Sequence, residues 1–175
     1  MIQQGEFPPF LALPGQGTTL YKNPKQWVSG DRSLTPAQVS ARVARLRREG
    51  FVAVLSRPLG TPTREPWGGL SFVMQLGSAT SARAELAANV RDEQSTSKPP
   101  KFTYTAFRVN GIPGGRGYHL TSPGSAGDNV LFADGPFMYF VGFGWSAKTK
   151  NMPTRTQLIA AATRLYKRVR GHPPG

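Results

Sequence analysis

Phe137-Met138-Tyr139-Phe140-Val141-Gly142-Phe143-Gly144-Trp145 is the stretch that decides the fold. Successive side chains of a strand point to opposite faces. With that period Phe137, Tyr139, Val141, Phe143 and Trp145 share one face, and Met138, Phe140, Gly142 and Gly144 share the other. A ribbon that is large on one side and partly bare on the other reads as a central strand. The helix that covers its large side follows directly. Pro153 and Thr154 open it, Leu158, Ala162, Leu165 and Val169 form its buried stripe, and Gly171 stops it. The same ladder also reads as the wall of an apolar groove, with Tyr139 and Trp145 as contact residues.

Working outward, Asp134-Gly135 is a hairpin signal that ties this strand to one at 129–133, and Asn110-Gly111 is a weaker one. Further strands fit 51–59, 70–76, 102–109 and 117–122. A first helix is capped by Thr35, with Pro36 in its first turn and Gln38 completing a capping box. Val39, Val43 and Leu46 mark its buried face, and Gly50 ends it. A second helix runs from 78 to 92 on Ala79, Ala82, Leu86 and Val90, and 94–101 reads as a hydrophilic linker.

These elements predict an α+β domain: a twisted, mainly antiparallel sheet of six strands with three helices packed on it. The two halves echo each other as strand, Gly-rich loop, strand or hairpin, and helix, which is the pattern of a two-half pseudo-repeat. The domain spans 35–171, after an irregular but apolar arm at 1–34 that packs on it and before a tail at 172–175.

Composition narrows the chemistry. The chain has 175 residues, and 22 Lys and Arg stand against 9 Asp and Glu, a formal net charge of +13. Such an excess attracts anionic polymers, lipid headgroups or nucleic acid, and salt screens all three. Two helix flanks concentrate it: Arg42, Arg45 and Arg48 on the first helix, and Arg164, Lys167 and Arg168 on the last. Arg outnumbers Lys 15 to 7, a bias that GC-rich coding also produces. There is no cysteine, which removes disulfides, thiolate metal sites and cysteine nucleophiles. No apolar run reaches the ~20 residues of a membrane-crossing helix. The N-terminal stretch lacks the basic and apolar regions of a signal peptide.

Motifs for catalysis are sparse. His119 and His172 are the only histidines and neither has metal-ligand spacing, so no metal and no cofactor is expected. His119, Ser122, Ser125 and Asp128 lie close in sequence, but no helix follows Ser125 as a nucleophile elbow requires. The glycines of 111–117 offer backbone N–H groups to an anion beside Arg116, without a Walker pattern. Tyr104, Phe107, Arg108, Arg116 and Tyr118 on neighbouring strands make a basic aromatic platform or an ordinary half-buried sheet face.

The runs Val109-Asn110-Gly111-Ile112-Pro113-Gly114-Gly115-Arg116-Gly117-Tyr118, Asn129-Val130-Leu131-Phe132-Ala133-Asp134-Gly135, Tyr139-Phe140-Val141-Gly142 and Gln157-Leu158-Ile159-Ala160-Ala161-Ala162, with Leu165-Tyr166, have a familiar order. Together they resemble a pattern in exported actinobacterial proteins and lipoproteins of unassigned function, in the PsbP-like α+β group. Gly5-Glu6-Phe7-Pro8 and Trp27 are similar to the N-terminal lead-in of those proteins. The resemblance rests on turn and core residues and brings no catalytic motif. It implies a binding or scaffolding role outside the cytoplasm and a signal segment absent from this chain, which also has no cysteine for a lipid anchor.

The expectation is therefore a non-enzymatic, extracytoplasmic binding or sensor-like domain. Its partner is an anionic cell-envelope polymer, a lipid headgroup or a small apolar ligand, with Tyr139, Trp145, Arg116 and Tyr104 as ligand contacts. A basic nucleic-acid-binding accessory protein is the alternative. A hydrolase built on the loop from Ser122 to Asp128 is the third reading.

Overall fold

A computed structural model of the chain describes residues 11–12, 17–31, 34–60, 68–96, 102–146 and 153–171. The elements are β1 (Leu11–Ala12), β2 (Thr19–Tyr21), α1 (Pro24–Val28), α2 (Pro36–Arg48), β3 (Ala53–Gly60), β4 (Gly68–Gln75), α3 (Ala79–Thr96), β5 (Thr103–Phe107), β6 (Arg116–Ser122), β7 (Ser125–Asp134), β8 (Phe137–Ser146) and α4 (Arg155–Val169). The fold is α+β. One antiparallel sheet runs in the order β1-β3-β4-β8-β7-β6-β5, with β2 also paired to β3. β8 is central, as its alternation requires, between β4 and β7.

Helices cover both faces, so the sheet is the middle of three layers. On one face Tyr139, Val141 and Phe143 of β8 join Val73, Val130 and Phe132 beneath Leu158, Ala161, Ala162 and Leu165 of α4. On the other, Met138, Met74, Phe72 and Leu131 pack against Val43 and Leu46 of α2 and Ala82 and Leu86 of α3. Each long helix starts for a visible reason. The Thr35 and Thr154 side chains accept from the backbone N–H three residues on, and Gln38 and Gln157 return the bond, which satisfies donors that the helix itself cannot.

Several boundaries differ from the expectation. β7 starts at Ser125, not at 129, because Pro123-Gly124 makes a two-residue turn with Gly124 at φ 80°. The segment read as a loop there is paired strand. α3 continues to Thr96 and takes in the start of the expected linker. The arm contains β2 and α1, whose Asn23 side chain accepts from Lys25 N–H at 2.8 Å. Trp27 of α1 packs edge-on against Phe72, 5.0 Å between centroids, and Phe72 stacks on Phe140 at 5.0 Å. The first half adds α3 to one face and the second half adds α4 to the other. Residues 1–10, with Gly5-Glu6-Phe7-Pro8, residues 61–67, the rest of the expected linker and the expected tail lie outside the described residues.

Among the described residues no helix is long and apolar enough to cross a membrane.

Candidate functional site

The α2–α3 face of the sheet is not filled along its whole length. Beyond Phe140 the outward positions of β8 are Gly142 and Gly144, and β4 places Gly68 opposite Gly144. A groove of about 410 Å³ opens there. Gly68, Gly127, Gly142 and Gly144 line its floor, and Leu70, Leu120, Phe140 and Phe102 supply apolar wall.

The four glycines have different causes. A Cβ on Gly142 would run into the Asn129 amide and the Phe140 ring, and one on Gly127 would lie 3.0 Å from the Phe143 carbonyl oxygen. Those two positions need hydrogen. Gly144 and Gly68 do not, since a Cβ there meets nothing nearer than 3.4 Å and 3.5 Å. Neither has a positive φ. Glycine inside a strand weakens it and gives nothing to pack. At these two positions the gain is open space.

The four expected ligand contacts do not converge. Tyr139 is a correction: it is 1% exposed, stacked on Phe132 with centroids 4.8 Å apart beneath α4, and closed to any ligand. Burial pushes its phenol up to about 12. Trp145 lies on the same face, partly exposed, stacked on Phe143 at 5.3 Å. Tyr104 lies on the opposite face against Tyr118 at 5.4 Å, and Arg116 is exposed on β6. Burial raises both Tyr104 and Tyr118 above the ordinary phenol range. The platform of 104–118 is thus a packed aromatic pair with two exposed cations, Arg108 and Arg116.

His119 and Asp128 are paired in register across β6 and β7. His119 Nδ1 lies 2.8 Å from Asp128 Oδ1, and the Arg155 guanidinium donates to the same oxygen at 3.2 Å. Asp128 is 4% exposed, and Arg155 also sits 4.4 Å over the Phe107 ring. Ser122 and Ser125 are one strand position out of phase with this pair, so they point to the other face, where their hydroxyls bond each other at 2.5 Å. The hydrolase reading on this loop is corrected on that ground, because neither Ser122 nor Ser125 reaches the imidazole. Asp128 instead ties β6, β7 and the first turn of α4 together. No group of three or more His, Asp or Glu converges among the described residues.

The basic rows divide. Arg164, Lys167 and Arg168 are exposed on α4. Of Arg42, Arg45 and Arg48 on α2, only Arg48 is exposed. Arg45 turns onto α3, with Nε 2.8 Å from Glu85 and a terminal nitrogen 2.9 Å from Asp92. Arg42 donates to Asn89 Oδ1 at 2.9 Å. The expected outward row is therefore mostly an interhelical seam. Helical spacing shows which residues share a flank but not which flank meets α3.

The groove expected along Tyr139 and Trp145 is corrected: that face is covered by α4, and the open groove lies on the opposite face of β8. The bare side of β8 follows from Gly142 and Gly144, whereas Gly68 and Phe102 join it only through the pairing of β4 and the end of α3's return.

No protein-family model and no curated protein sequence matches the chain. Among solved structures, the extracellular domain of PknH from Mycobacterium tuberculosis is similar to it with a TM-score of 0.49 and 14% identity, covering 90% of this chain and 81% of that one.

Proposed function

We propose that the chain is a non-enzymatic binding domain that holds a small apolar ligand in the glycine-floored groove, and that it works outside the cytoplasm. The observation that carries the reading is the Gly68–Gly144 pair. Both positions have room for a side chain and backbone that any residue adopts, and their bareness keeps the groove open. A volume of about 410 Å³ falls in the range of small-molecule sites, and the wall is apolar and aromatic as such sites are. The stacked Phe72 and Phe140 hold one wall firm. The extracytoplasmic setting rests on the resemblance of the C-terminal half to exported proteins.

The test is a fluorescence titration with N-phenyl-1-naphthylamine, a neutral apolar probe. Wild-type protein should bind it saturably. Gly144→Leu fills the groove from its floor and should abolish binding with an unchanged melting temperature. Binding that survives Gly144→Leu would place the probe elsewhere and remove the groove from the account.

A further inference from the structure

The glycine-floored groove is lined without charge. The chain carries 22 Lys and Arg against 9 Asp and Glu, yet none of them is among the described residues that border this space. Such a wall admits a neutral ligand, since an ion would lose water there and meet no counter-charge.

One polar side chain stands on the floor. Asn129 of β7 is paired in register with Gly142 of β8, and paired residues share a face. Its amide lies over Gly142, in the room that a Cβ there would take. Inward its neighbours are core: Tyr118 across on β6 and Leu131 two residues along, both buried. Outward lies the Gly127–Gly144 pair. Asn129 therefore marks the inner end of the groove, where packed core gives way to bare floor.

The amide of Asn129 is uncommitted. It makes no hydrogen bond to any described residue, and neither of its polar atoms is shut away from water. The other polar side chains at the groove are paired or turned away. Ser122 and Ser125 bond each other, and Thr121 is out of phase with Leu120, so it points to the opposite face. Asparagine is a poor strand residue, and an amide without a partner adds nothing to the fold. What it offers is a carbonyl oxygen that accepts beside an NH2 that donates.

On the reading of the groove as a ligand site, we propose that Asn129 selects the ligand, and that the groove takes a neutral, flat, apolar molecule carrying a primary carboxamide or a lactam. The ligand N–H donates to Asn129 Oδ1, and the ligand C=O accepts from Asn129 Nδ2. The rest of the ligand lies over Gly127 and Gly144 toward Gly68, between Leu70 and Leu120. A ketone or a carboxylate has no N–H and makes only one of the two bonds.

Displacement of N-phenyl-1-naphthylamine from the whole chain tests this with naphthalene-1-carboxamide and 1-acetylnaphthalene, which share one shape and differ by NH2 against CH3. The carboxamide should bind about fivefold more tightly than the ketone, the worth of one net hydrogen bond. Asn129→Ala should remove that preference and leave 1-methylnaphthalene bound as before. Equal displacement by carboxamide and ketone, or a preference that survives Asn129→Ala, overturns the role of Asn129. In either case, probe binding that is lost in Gly144→Leu leaves the groove itself standing. A probe that does not bind the wild type overturns both. If Asn129→Ala does not fold, the wild type decides by NMR. The side-chain amide protons of Asn129 should move downfield with the carboxamide and not with 1-methylnaphthalene. The same shift with both, or none with either, overturns the proposal.

Discussion

Arg45 of α2 lies 2.8 Å from the carboxylate of Glu85 on α3, and Glu85 is fully buried, at 0% exposure. The carboxylate also accepts from the Asn89 amide at 2.7 Å. The pair therefore fastens the two helices that cover one face of the sheet. A buried ion pair adds little over well-packed apolar residues, but breaking one half leaves a stranded charge. Arg45→Met should destabilise the domain by about 3 kcal/mol. The double variant Arg45→Met/Glu85→Leu should recover most of that loss. Urea unfolding of the two single variants and the double variant closes the cycle. A double variant no better than Arg45→Met would contradict the seam.

Glu49, at the end of α2, turns its carboxyl toward Glu85, and its Oε2 is buried without a hydrogen-bond partner. Burial first, and the Glu85 charge second, push its pKa from the ordinary 4.5 to about 7. The folded protein thus holds this proton more tightly than the unfolded chain does. The stability it contributes is fully present below pH 4.5 and is lost as pH rises from there to about 7. Glu49→Gln mimics the protonated carboxyl. Wild type and variant should be close in stability at pH 5, and the variant should be the more stable at pH 8. Urea midpoints measured across that interval check the sign.

The legible and hidden parts of the molecule separate along physical lines. Local signals were readable. Thr35 and Gln38 form the capping box that their spacing announces, and the alternation in β8 puts its large residues under α4. Non-local pairing was not readable. Asp128 looked like a loop residue because a buried carboxylate breaks a strand's apolar alternation, and its partners Arg155 and His119 come from other elements. Arg45 looked solvent-facing because Glu85 and Asp92 lie on a helix far along the chain. The groove needed both kinds of information: the bareness of Gly144 was local, but the Gly68 opposite it is a matter of register.

Gly117 and Gly144 make a contrast in what a methyl group does. A Cβ on Gly117 would fall into the Phe107 ring, which carries Arg155 on it. Gly117→Ala should displace that ring and cost about 1–3 kcal/mol, the usual range for overpacking. Gly144→Ala meets only ordinary contact at 3.4 Å and should change stability by less than about 0.5 kcal/mol. Thermal melts of the two variants side by side measure the difference.

Asp128→Ala removes the shared acceptor of His119 and Arg155. It should cost about 1–3 kcal/mol and speed hydrogen exchange in the first turn of α4. Ser125→Ala, on the other face at an exposed turn, should leave both the melt and the exchange pattern as they are. Equal effects from the two would mean that Asp128 does not anchor α4.

The most direct test follows leucine methyl groups by NMR as N-phenyl-1-naphthylamine is added. Leu70 and Leu120 line the groove, and Leu158 and Leu165 lie sealed on the opposite side of the sheet. The predicted result is saturable shifts at Leu70 and Leu120 with Leu158 and Leu165 still, all lost in Gly144→Leu. Shifts centred on Leu158 and Leu165, or none that saturate, would contradict a ligand seated on the glycine floor.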